Sequence, residues 1–121
     1  MTNRNIEVLG RIIKYCDEIN ETMDHFGRTF GNLEPNVIYK NAVSMCILQI
    51  GELTALLSDD FKVQYAEMPW YDIKAMRNIA AHRYGTFDLT KLWETLTDDI
   101  PALYKYCSKV LIELQQQEQT N

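Results

Sequence analysis

The chain has 121 residues, 46% of them apolar and 24% charged, which is enough for one hydrophobic core and marginal for two. No apolar run approaches the ~20 residues that span a bilayer, and Met1-Thr2-Asn3-Arg4-Asn5 lacks the apolar centre of a secretory leader. The expectation is a cytoplasmic protein with no membrane partner. The formal net charge of −5 argues against nonspecific nucleic-acid binding, which usually goes with a basic chain.

In chain order, Ile6, Leu9, Ile13, Cys16, Ile19, Met23 and Phe26 recur at steps of three and four, predicting a first amphipathic helix that Gly27 and Gly31 terminate. Pro35 suits the first turn of a second helix over 35–57, where proline loses no needed donor. Apolar side chains surround most of this second helix, so it is expected to be central and covered on several sides. Ser58-Asp59-Asp60 ends it, and an irregular stretch leads to Pro69. A third helix is predicted from Pro69 through Ile73, Met76 and Ala80, with Gly85 marking the break. Asp88 reads as the N-cap of a fourth helix, and Pro101 as a point where that helix bends and restarts. No strand pattern or repeat is visible. The fold class expected is all-α, an antiparallel four-helix bundle with a kinked or split last helix. Residues 1–114 form the domain, and 115–121 a polar tail.

Three cysteines, Cys16, Cys46 and Cys107, are odd in number, far apart and set among apolar neighbours. They read as reduced core thiols, not as a disulfide frame or metal cluster. Only residues 71–87 carry a cationic excess, with Lys74, Arg77 and Arg83 against Asp72. That segment also holds His82, one of just two histidines, the other being His25.

The residue types fit cleavage of RNA by its own 2′-hydroxyl. Such a reaction needs a group of near-neutral pKa to take the hydroxyl proton, and histidine is the usual one. It also needs a permanent cation for the charge that develops on phosphorus, which the planar guanidinium supplies without a metal. No Asp, Glu, His or Cys cluster has metal-ligand spacing, and no cofactor is implied. On a straight helix, however, Arg77 and His82 lie ~140° and ~7.5 Å apart. Either the helix ends between them, or two copies of the chain pool their residues at a twofold seam. The pattern alone is weak: an equally good reading makes His82 a helix cap and Arg77 a solvated charge. Glu52, on the most apolar helix, needs a cation, with Arg77 and Lys74 the candidates; either it orients Arg77 or it serves a structural ion pair. Trp70 and Trp93 read as core residues, His25 as a surface or capping residue. The remaining tyrosines, Tyr71 among them, give no separate signal.

The wider context resembles a known family. Gln49-Ile50-Gly51-Glu52-Leu53, Met68-Pro69-Trp70, Ile73, Met76-Arg77-Asn78, His82-x-Tyr84, Trp93 and Ile100-Pro101-x-Leu103 look like the HepT-like family of the HEPN superfamily, over residues 35–104. The resemblance implies a homodimeric helical bundle acting as a metal-independent endoribonuclease toxin of a type VII-like toxin–antitoxin pair. It maps the family's catalytic Arg and His onto Arg77 and His82, with Asn78 supporting them. It further implies a minimal nucleotidyltransferase antitoxin as partner, transferring AMP to Tyr84 and so placing bulk and negative charge where the RNA substrate would lie. Lys74 and Arg83 are candidate phosphate contacts. Arg83 departs from the acidic or small residue that many relatives carry there. The rival reading is a non-catalytic nucleotide-binding partner of a nucleotidyltransferase, and a third is a dimerisation bundle without chemistry.

Overall fold

The amphipathic stripe at the start of the chain becomes helix α1, Asn3–Phe26. Its buried line is Val8, Leu9, Ile12, Cys16, Ile19 and Met23, with Ile6, Ile13 and Phe26 flanking it half-buried. The computed structural model describes residues 3–78 and 86–120, and every regular element among them is helical. Gly27 ends α1 with φ +104°, its N–H donating to the Met23 carbonyl at 2.8 Å, a backbone shape that glycine alone adopts cheaply. Gly31, expected as a second terminator, lies instead inside a one-turn helix, α2, Phe30–Leu33, which Thr29 caps.

Helix α3 spans Val37–Thr54. Asn36 is its N-cap, accepting from the Tyr39 N–H at 3.0 Å, so Pro35 precedes the cap and does not occupy the first turn. Ser58 does not merely end this region. Its hydroxyl accepts from the Phe61 N–H and so caps a further helix, α4, Asp59–Gln64. Asn5 of α1, fully buried, holds Ser58 by two hydrogen bonds of 3.0 and 3.1 Å. The expected third helix begins as α5, Trp70–Ala75, and its regular pattern breaks at Met76 before Arg77 and Asn78 resume helical geometry.

The last helical region opens with α6, Thr86–Glu94, which places Asp88 inside the helix and not at its N-cap. A π-helical turn, Thr95–Asp99, joins it to α7, Ile100–Thr120. Where a bend and restart were expected at Pro101, the chain stays helical and carries a widened turn just before the proline. Proline cannot donate, and the bond from the Ile100 N–H back to the Thr95 carbonyl lets the helix pass that point without a break. The core sits where α1 packs against α3 and α7, while α5 packs on α3. Cys16, Cys46 and Cys107 lie in it as free thiols, and burial pushes them up to about 12, 11 and 12 respectively.

Candidate active site

Two anchors fix the short helix that leads into the motif. At its start, Trp70 is buried against Phe61, 5.5 Å between ring centroids, and Tyr106, 6.1 Å. Its indole N–H donates to the Tyr65 carbonyl at 2.9 Å, a carbonyl that Tyr106 Oη also reaches at 3.5 Å. Trp70 is thus a core residue, as its spacing suggested. Trp93 is half-buried against the same core and meets Phe30 edge-on. His25 is exposed at the end of α1 beside Phe26.

The second anchor is Gly51. A Cβ placed there would lie 2.8 Å from Arg77 Cβ, 3.2 Å from the Lys74 carbonyl oxygen and 3.3 Å from Arg77 N. Only a residue without a side chain lets the backbone at Lys74–Arg77 come this close to α3. The next residue on α3, Glu52, then meets Arg77: Nη1 donates to Oε1 at 2.7 Å. Of the two candidate cations, Arg77 is the partner. The carboxylate is not buried as expected; the two side chains are 51% and 46% exposed. Among the described residues the ion pair engages only Nη1, and the half-exposed guanidinium keeps further donors for a second acceptor.

Lys74, Arg77 and Asn78 line one cleft of about 230 Å³ with Tyr71 and Ala75. Two cations and no carboxylate stand among its described lining residues. Lys74 has no ion-pair partner among the described residues. Tyr71 is the residue that sequence reasoning missed here. On its helix it stands one turn before Lys74 on the same side, a spacing that means nothing until the cleft is known. His82, Arg83 and Tyr84 lie outside the described residues. The local geometry therefore brings together Glu52, Lys74, Arg77 and Asn78 of the expected constellation.

The Ribonuclease HepT-like family model matches residues 12–110. "Putative RNase MJ0125" of Methanocaldococcus jannaschii is 31% identical over 118 residues, covering 96% of this chain and 99% of that one. "Putative RNase MJ1216" of the same organism is 28% identical over 123 residues, covering 100% and 99%. "Probable ribonuclease HepT" of Thermococcus cleftensis is 37% identical over 62 residues, covering 51% and 56%. No solved structure matches the chain significantly. The family match over residues 12–110, with a relative 31% identical along nearly its whole length, shows that the chain belongs to the HepT-like ribonuclease family.

Proposed function

We propose that the protein is a metal-independent endoribonuclease of the HEPN type, working in the cytoplasm as the toxin of a toxin–antitoxin pair. The observation that carries this reading is the Glu52-held Arg77, presented in a cationic cleft of an otherwise acidic chain. His82 takes the proton from the ribose 2′-hydroxyl, the 2′-oxygen attacks phosphorus, and the bond to the 5′-oxygen breaks as that oxygen is protonated. The products are a 2′,3′-cyclic phosphate and a 5′-hydroxyl. Arg77 carries the charge that builds on the phosphoryl oxygens, Asn78 positions the pair by hydrogen bonding, and Lys74 with Arg83 grips neighbouring phosphates. Residues 1–114 form the working domain and 115–121 the polar tail.

The active form in this reading is a homodimer of antiparallel four-helix bundles. On α3, Ile38, Met45 and Glu52 follow at seven-residue intervals and so share one face. Ile38 is 69% and Met45 56% exposed. Two uncovered apolar side chains thus share a face with the carboxylate that holds Arg77, which supports a seam between two copies with two motifs facing each other. Neutralisation follows when a minimal nucleotidyltransferase antitoxin transfers AMP to Tyr84.

The deciding experiment is cleavage of single-stranded RNA by pure protein in excess EDTA. Cyclic-phosphate products that survive chelation and vanish in His82→Ala are expected. Protein that binds nucleotides and leaves all RNA intact would instead be a non-catalytic partner of a nucleotidyltransferase. Intact-mass measurement after coexpression with the antitoxin is expected to show an AMP-sized addition, absent in Tyr84→Phe.

A further inference from the structure

Tyr71 is 83% exposed although it neighbours the buried Trp70 on a helix whose inner face is fully packed. Successive residues on a helix point ~100° apart, so burying Trp70 turns the tyrosine outward. A lone exposed aromatic is ordinary on a protein surface. This one is distinguished by its surroundings, because it lines the same cleft as Lys74, Arg77 and Asn78. Asp72, the acidic residue beside it, lines the separate cleft on the other flank of α5 together with Lys91 and Asp99. An aromatic face bordered by Lys74 and by Arg77, one of whose guanidinium nitrogens is held by Glu52, matches single-stranded nucleic acid: ring for base, cations for backbone.

We infer that Tyr71 is a base-stacking residue of this cleft, holding the face of one nucleobase while Lys74 and Arg77 hold adjoining phosphates. The inference rests on the ribonuclease reading and adds a binding determinant to it. Stacking is tolerant of base identity, since every base has a π-face, so Tyr71 fixes the position of the strand more than its sequence. It holds the nucleotide next to the reacting phosphate and touches no reacting atom.

The test uses the full chain and a 5′-fluorescein single-stranded RNA hexamer with 2′-O-methyl riboses, which cannot be cleaved through the 2′-oxygen. Tyr71→Ala is expected to weaken binding by about 5- to 100-fold, and Tyr71→Phe to keep wild-type affinity. The slope of log affinity against log salt stays unchanged in Tyr71→Ala and falls by about 0.7 in Lys74→Ala, because only the lysine releases counterions. Wild-type protein that binds the hexamer and loses nothing in Tyr71→Ala overturns the stacking role and leaves the ribonuclease reading intact. A Tyr71→Ala defect that disappears at protein concentrations restoring the dimer also overturns it, since the ring would then serve the subunit seam. Wild-type protein that neither binds the hexamer nor cleaves unmodified RNA overturns both readings.

Discussion

The two clefts flanking α5 are built from the same short helix and differ in what they can hold. One, about 230 Å³, is lined by Tyr71, Lys74, Ala75, Arg77 and Asn78. The other, about 400 Å³, is lined by Pro69, Asp72, Ile73, Ala75, Met76, Lys91 and Asp99. The second is larger and carries two carboxylates against one ammonium, so it offers a polyanion little. The first is smaller, and the charged residues of its described lining are Lys74 and the Glu52-paired Arg77. A phosphate ligand is selected by the sign of the local field more than by room, and a chain of net charge −5 can concentrate a cationic face in one place.

That contrast can be broken experimentally. Arg77→Ala should lower the cleavage rate by about 10²- to 10³-fold, the usual consequence of removing one donor to a developing oxyanion. Its effect on thermal stability should be small, because a half-exposed ion pair contributes about 0–1 kcal/mol. Gly51→Ala tests how the first cleft is positioned. The added methyl forces Arg77 away from α3, which should cost about 1–3 kcal/mol of stability in a denaturant titration. The displaced guanidinium should also reduce cleavage at saturating RNA. Glu52→Gln keeps the shape but removes the charge that holds Arg77. The expected result is a lower rate with stability changed by less than about 1 kcal/mol. The smallest effect belongs to the second cleft: Asp99→Asn should alter stability within about 0.5 kcal/mol, leaving RNA affinity at the wild-type value. Equal losses in Arg77→Ala and Asp99→Asn would erase the distinction between the clefts.

How far the sequence could be read depended on length and on whether a residue's partner was local. Helices α1 and α3 have 24 and 18 residues and announce themselves through repeated apolar positions. Helices α2 and α4, with four and six residues, complete too few turns to show a period, and only the caps Thr29 and Ser58 marked them. The interruption at Met76 was not visible either, because it arises where a short helix is clamped by Trp70 at one end and Gly51 at the other. Asp88 was misread since an aspartate early in a helix resembles an N-cap in composition. Pro101 announced a bend and restart, but five residues before the proline adopt a wide turn and the chain stays helical. In the site, Arg77 and Asn78 were legible from the motif, and Glu52 from the oddity of a carboxylate on an apolar helix. The part played by Gly51 was not, since a glycine's value here lies in what approaches it from a distant segment. Tyr71 stayed silent until its neighbours in the cleft were known.

The three thiols in the core have a consequence for measuring this molecule. Cys16 stands on α1, and Cys46 and Cys107 on α3 and α7, the two helices that pack against α1 to make the core. Their ionisation is suppressed by burial, so an alkylating reagent in water finds almost no thiolate while the helices stay together. Labelling must then wait for a helix to lift, and the rate at each cysteine becomes a clock for one seam of the fold. Cys46, at 8% exposed with its thiol near 11, should tick first, and the fully enclosed Cys16 and Cys107 only when the molecule opens as a whole. The protein carries its own set of native reporters, readable by mass spectrometry without altering a single residue.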